Sequence, residues 1–161
     1  VLKALVLVVS DSVFEGRTSD VSGEFAVRAL SSRGFNVVKV ITPNKPTEIL
    51  KNIRENPDAR LIIVIGGTGP SPRDITVDTV ESLAWRSFPG FGEEFRRRSA
   101  ERVGLRAILS RAGLYETFDG RVIAVLPGSL DGVEVGLSIL LEITQHLLEE
   151  AERTEGPHRV S

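Results

Sequence analysis

Between positions 66 and 74 the chain reads Gly-Gly-Thr-Gly-Pro-Ser-Pro-Arg-Asp. Gly66, Gly67 and Gly69 let the main chain come close to a ligand and turn its N–H groups toward an anion, while Thr68 and Ser71 add hydroxyl donors. Asp74 then sets one carboxylate beside that anion site, where it can hold a divalent cation. No Gly-Lys-Ser/Thr follows, so this is not a Walker A loop, and the glycine spacing is not that of a dinucleotide fingerprint. The plainer alternative is an ordinary glycine turn. Its hydroxyls and the Arg73-Asp74 pair that follows point instead to a phosphate or pterin site. The rest of the inventory narrows the chemistry further. With no cysteine and only two histidines, the chain excludes thiol nucleophiles, disulfides, Cys-ligated zinc, iron–sulfur clusters and any three-histidine metal site. His146 and His158 have no metal-ligand spacing to another candidate.

The elements that must position this loop follow from hydrophobic pattern. Residues 4–9 (ALVLVV) and 61–65 (LIIVI) are apolar throughout, which marks strands buried on both faces and therefore parallel. Residues 37–41 form the strand between them. Asp20 is an N-cap for a helix with Val21, Phe25, Ala29 and Leu30 on one side, Gly34 ends it, and Pro46 or Thr47 opens the next helix, closed by Pro57. The order β, α, β, α, β defines an open, doubly wound sheet with helices on both faces, in which ligands bind outside the carboxyl ends of the strands. Beyond it, Thr76 can cap a helix bearing Val77, Val80 and Leu83 or Ala84, and residues 90–103 form another. Asp119-Gly120 is a type I′ turn dipeptide between runs 114–118 and 121–126, which predicts an antiparallel ribbon. From Ser129 a long helix carries Val133, Leu137, Leu140, Leu141, Thr144 and Leu148 on one stripe. The fold class is thus α/β, a three-layer α/β/α domain over residues 1–150, with 151–161 expected as a charged, flexible tail.

At 161 residues, 41% apolar and 26% charged, the chain has the composition of one globular domain. Its net charge of -2 offers no general attraction for nucleic acid or anionic membrane, and neither is expected as a partner. The run Arg96-Arg97-Arg98 reads as a solvated helix face. The longest apolar stretch falls far short of the roughly 20 residues of a membrane span, so a cytoplasmic protein is expected. Because the chain contains no Met, its numbering is expected to begin inside the gene product or after processing.

Four strings occur in a telling order: GGTGPSPRDIT at 66–76, PGFGEEFR at 89–96, AILSR at 107–111 and LPGS at 126–129. Together they resemble the molybdopterin adenylyltransferases, the MogA/MoaB family that includes the G domain of gephyrin, from the first strand to the last helix. The resemblance implies a homotrimer or a hexamer of paired trimers. It also implies transfer of AMP from Mg2+-bound ATP to the terminal phosphate of molybdopterin, the product passing to a downstream metal-insertion protein. Gly66, Gly67, Thr68 and Gly69 would then cradle the phosphate and pterin edge, with Arg73 beside them, and Asp74 would be catalytic, by the same resemblance a Mg2+ ligand. Ser110 and Arg111 match the family's Ser-Arg and would face substrate, and Pro127, Gly128 and Ser129 match the turn before the last helix. Ser10, Asp11 and Asp20 fall where the family places nucleotide and substrate contacts, although Asp20 serves equally as a plain helix cap. Gly90, Gly92 and Glu93 would approach the site, while Phe91 and Phe95 belong to the core or a subunit interface.

The chain departs from the family at one position. After the second strand the family has an Ile-Pro-Asp segment whose Asp is a second catalytic carboxylate, and here the stretch is Thr42-Pro43-Asn44-Lys45. Asn44 supplies an oxygen without a charge, which implies an active enzyme with a raised Mg2+ requirement. The alternative is a weakly active or non-catalytic molybdopterin carrier.

Overall fold

In the computed structural model, which describes residues 1–156, the strands form a single sheet. β1 (Lys3–Val9), β2 (Asn36–Thr42), β3 (Ala59–Ile65) and β6 (Val122–Leu126) run parallel, β5 (Gly113–Thr117) runs antiparallel to β6, and β4 (Ala84–Ser87) antiparallel to β5. The sheet order is β2-β1-β3-β6-β5-β4. The unbroken apolar runs now have their reason, because successive residues of β1 enter opposite cores. Ala4, Val6 and Val8 pack with Ala26, Leu30, Phe95 and Leu140, whereas Leu5, Leu7 and Val9 pack with Ile49, Ile53, Val77 and Val80. Helices α2 (Val21–Ser31), α5 (Pro89–Val103) and α6 (Leu130–Glu152) therefore cover one face, and α3 (Pro46–Arg54) and α4 (Thr76–Glu81) the other. This is the three-layer α/β/α arrangement, with β4 and β5 as the antiparallel part. Among the described residues no helix is long and apolar enough to cross a membrane.

Several local expectations change. The face of α2 is rotated: Val21 is 55% exposed, and Ser22, Gly23, Ala26 and Leu30 are buried. A Cβ on Gly23 would lie 2.7 Å from Val8, so α2 docks through its smallest residue rather than its most apolar stripe. Ala84 belongs to β4, not to a helix; pairing with β5 and the Arg86–Glu116 ion pair at 3.2 Å prevail over helical spacing. Thr76 is not a cap but the first residue of α4, with its hydroxyl buried. The hairpin is not type I′, because Asp119 does not have positive φ. Thr117 N–H donates to the Arg121 carbonyl and Gly120, at φ 83°, donates to the Thr117 carbonyl, which is a three-residue loop with a glycine bulge. Residues 11–14 form a one-turn helix, α1 (Asp11–Phe14), and Leu105–Leu109 a 3-10 turn, neither of which periodicity predicts. Finally, α6 runs through Glu152, into the expected tail; the last five residues of that tail, with His158, lie outside the described residues.

Candidate active site

The chain leaves β1 toward β2 on one side and passes from β3 toward β6 on the other, so the ends of β1 and β3 frame the crevice expected at a switch in strand order. Gly66 sits in that crevice with φ 109°, its N–H donating to the Leu126 carbonyl at 2.8 Å. A Cβ there would lie 2.5 Å from the Val9 carbonyl oxygen, so glycine is what lets the chain turn between β1 and β6. Gly67 follows at φ 71° against the side chain of Thr76.

Two cavities flank this turn. One, of about 400 Å³, is lined by Ser10, Asp20, Ser22, Gly66, Gly67 and Gly128, together with their neighbours. The other, of about 380 Å³, lies against Thr68, Gly69, Ser110, Pro127 and Ser129. Ser10, Asp20, the glycine loop, Ser110 and the 127–129 turn therefore lie around two chambers that share the loop as a wall, whereas Asp11, Asn44, Arg73 and Asp74 line neither chamber. The hydroxyls of Thr68 and Ser110 lie 3.2 Å apart, and the Arg111 N–H donates to the Thr68 carbonyl at 2.8 Å. A third hollow, of about 400 Å³, brings Gly92 beside Ser110 and Arg111. Gly90 is exposed in the first turn of α5, and Glu93 is exposed just after it.

Helix termini fix several of the expected contacts. Ser10 caps α1 through the Val13 N–H at 3.2 Å, and Ser129 caps α6 through the Gly132 N–H at 3.1 Å. Asp20 both caps α2, through the Gly23 N–H at 2.9 Å, and pairs with Lys39 at 2.6 Å, so both its oxygens are engaged while it still lines the first cavity.

Asp74 is half-buried. Its Oδ2 accepts the Ser71 N–H at 2.9 Å, and its own N–H donates to the Ser71 carbonyl at 2.8 Å, closing a tight turn. Its Oδ1 accepts no hydrogen bond among the described residues. Arg111 braces the loop from the other side: it is bidentate to Asp78 at 2.8 and 3.1 Å, and it donates to the Asp74 carbonyl at 2.9 Å and the Gly69 carbonyl at 3.4 Å. The Arg111 bonds hold the Asp78 carboxyl below its ordinary pKa, and Asp78 raises that of Arg111. On the β1 and β2 side, Asp11 accepts the Asn44 N–H and the Arg73 guanidinium, both at 2.9 Å. The Asn44 bond is the larger cause of a lowered Asp11 pKa, Arg73 and Lys45 adding to it against a smaller desolvation.

Sequence reasoning missed Asp78, in the first turn of α4, as the partner of Arg111; the two lie far apart in sequence and no local spacing signals the pair. It also missed Ser22, whose hydroxyl donates to the Gly128 carbonyl at 2.8 Å and so ties α2 to the turn before α6. Nothing in the pattern marks that contact.

Among the described residues no group of three or more His, Asp or Glu side chains is gathered to hold a metal. Mg2+ seldom needs one, since it retains water and binds through one or two carboxylates plus substrate phosphates. A single carboxylate with an uncommitted oxygen, Asp74, fits an ion that arrives with a phosphate ligand.

A doubly wound sheet with a glycine cradle, hydroxyls, a helix N-terminus and one carboxylate at its strand-order switch is an α/β arrangement suited to a phosphorylated ligand. Comparison with known proteins specifies which kind. The family model described as a probable molybdopterin binding domain matches residues 5–146. The chain is 35% identical to the molybdopterin adenylyltransferase of Pyrococcus furiosus, over 91% of this chain and 89% of that protein. It is 33% identical to the probable molybdopterin adenylyltransferase of Methanocaldococcus jannaschii, over 91% and 92%. The crystal structure of the tungsten cofactor synthesizing protein MoaB from Pyrococcus furiosus matches with a TM-score of 0.85 at 33% identity, covering 94% of this chain and 98% of that one. The protein belongs to the molybdopterin-binding MoaB/MogA family.

Proposed function

We propose that the protein acts in molybdenum cofactor biosynthesis by adenylylating molybdopterin with ATP. The observation that carries this reading is the pair of cavities on either side of one glycine loop, with Asp74 at the loop's end. Two substrates, both polyanions, have to meet in line, and two chambers sharing a backbone-lined wall suit that task. The phosphate of molybdopterin is already anionic near neutral pH and attacks the α-phosphorus of ATP. The new P–O bond forms as the bond to the β-phosphate oxygen breaks, and pyrophosphate leaves with that electron pair. No side chain has to be deprotonated, which accords with a chain lacking cysteine and with both histidines outside the loop. Main-chain N–H groups of 66–69 and the α6 N-terminus stabilise the incoming phosphate, and the hydroxyls of Thr68 and Ser110 orient it.

When bound, Mg2+ neutralises charge on the triphosphate, and Asp74 Oδ1 is the oxygen this chain offers it. With one such carboxylate rather than two, the Mg2+ requirement is raised. The reading includes a homotrimer or hexamer. It is supported by exposed apolar side chains on the 3-10 turn beside Ser110, where Leu105 is 76%, Ile108 58% and Leu109 55% exposed. The test is pyrophosphate release from Mg-ATP dependent on added molybdopterin, with Asp74→Asn as control. Tight pterin binding without pyrophosphate would favour the second reading, a molybdopterin carrier, for which the uncharged Asn44 is the specific observation.

A further inference from the structure

Asn44 stands where the loops after β1, β2 and β3 meet. Its main-chain N–H donates to Asp11 Oδ1 at 2.9 Å, and its side-chain Nδ2 donates to the Arg73 carbonyl oxygen at 2.8 Å. The Arg73 guanidinium returns to Asp11 Oδ2 at 2.9 Å. The three residues close a ring around the position that immediately precedes Asp74. The other end of the amide, Oδ1, is buried and accepts no hydrogen bond from the described residues.

This arrangement needs an amide. An ionised carboxylate has no proton to donate to the Arg73 carbonyl, so two oxygens would face each other, and its second oxygen would be a charge shut away from water. The buried Oδ1 is equally poorly placed to meet an ion arriving from solvent, because the loop would have to open first. The Ser71–Asp74 turn is closed by its own hydrogen bonds, but those bonds do not tie it to the sheet. On the β1 and β2 side, the ties are the Asn44 amide on the Arg73 carbonyl and the Asp11 carboxylate on the Arg73 guanidinium.

We propose that Asn44 is a positioning residue, an amide latch that fixes the Arg73–Asp74 segment, and that this chain requires the amide there rather than a carboxylate. Its consequence for activity rests on Asp74 serving adenylyl transfer as proposed above; its consequence for the loop does not. Restoring an acidic residue at 44 therefore impairs the site and leaves the Mg2+ requirement unrepaired.

The test compares the full chain with Asn44→Ala, Asn44→Asp, Asp11→Ala and the Asn44→Ala/Asp11→Ala double variant. In native-state hydrogen exchange, both Asn44 variants speed exchange at residues 71–74 by about threefold to tenfold, the loss of one hydrogen bond, while amides of β1 and β3 keep their rates. In adenylylation assays both lower kcat by a similar factor, with the Mg2+ midpoint unchanged and the KM for molybdopterin within about twofold. The double variant loses less than the product of the single losses, because both residues hold one segment. Unaltered exchange at 71–74 in Asn44→Ala overturns the latch. A higher kcat or a lower Mg2+ midpoint in Asn44→Asp overturns it too, by assigning the position to charge. Should the unmodified protein show no adenylyl transfer, the enzymatic reading fails and the exchange result alone decides the latch.

Discussion

Replacing Gly69 by alanine separates the architectural work of the glycine loop from its chemical work. Gly66 and Gly67 lie at φ 109° and 71°, but Gly69 lies outside the left-handed region, so its backbone accepts a side chain. The new Cβ would sit 2.8 Å from Asp74 Oδ2 and 3.4 Å from its Cγ, and the carboxylate has to rotate away and release the Ser71 N–H. A hydrogen bond to a charged acceptor contributes about 1.5–3 kcal/mol. Asp74 is half-buried and water replaces part of that bond, so about 1 kcal/mol is lost. The smaller conformational freedom of the unfolded chain returns about 0.4–1 kcal/mol. The net stability change of Gly69→Ala is therefore within about 1 kcal/mol. Gly66→Ala is different: a Cβ 2.5 Å from the Val9 carbonyl oxygen, at positive φ, forces β1 and β3 apart at a cost of about 2–4 kcal/mol. Urea denaturation at constant m separates the two variants, and initial rates of adenylyl transfer complete the comparison. Gly69→Ala should keep its denaturation midpoint yet lose at least about tenfold in kcat, because a displacement near 1 Å at a reacting group is costly. Full activity in Gly69→Ala would show that the position of Asp74 does not matter, and destabilisation equal to that of Gly66→Ala would show that the loop geometry has been misread.

Other outcomes follow from single contacts. Ser22→Ala removes the bond to the Gly128 carbonyl and should cost about 1 kcal/mol in denaturation, while raising the KM for the ligand of the cavity that Ser22 and Gly128 share. Thr76→Val deletes a buried hydroxyl that has no partner among the described residues and should stabilise by about 1 kcal/mol; a loss would reveal a bound water at that oxygen. Asp78→Asn weakens the bidentate brace and should lower kcat several-fold with little change in stability, since Asp78 is largely exposed. Asp11 and Asp78 both have folded-state pKa values below the ordinary range, so their contributions are complete above about pH 4 and vanish as the pH falls through the lowered values. Protection factors in the 69–74 loop, taken relative to the intrinsic exchange rate at each pH, should therefore fall in acid. Lys39 behaves in the opposite sense. Burial pulls its pKa down, but bonds to Asp20 and Glu24 outweigh that and leave it raised, so its contribution is lost only as the pH climbs above about 10.4 and through the raised value.

The sheet was legible because its central strands are apolar on both faces, a pattern that little else in a chain of this size produces. The loop was legible because three glycines within four residues directly after such a strand restrict what the backbone can do there. Elements held by partners distant in sequence escaped. β4 exists through its pairing with β5, some thirty residues later, and carries exposed Trp85 and Arg86, so no alternation announces it. α1 is a single turn fixed by Ser10 and lacks an apolar face. The roles of Arg111 and Asn44 escaped for the same reason. The resemblance set Arg111 facing substrate and Asn44 in place of a catalytic carboxylate; that Arg111 also pairs with Asp78, and Asn44 also donates to the Arg73 carbonyl, depends on partners far along the chain.

Mass spectrometry of the product decides whether this site joins AMP to molybdopterin. After incubation with molybdopterin and Mg-ATP, a pterin species heavier by one adenylyl group is expected, formed in step with pyrophosphate and absent with Asp74→Asn. Molybdopterin recovered unmodified from a tight complex, with ATP intact, would contradict adenylyl transfer at this site.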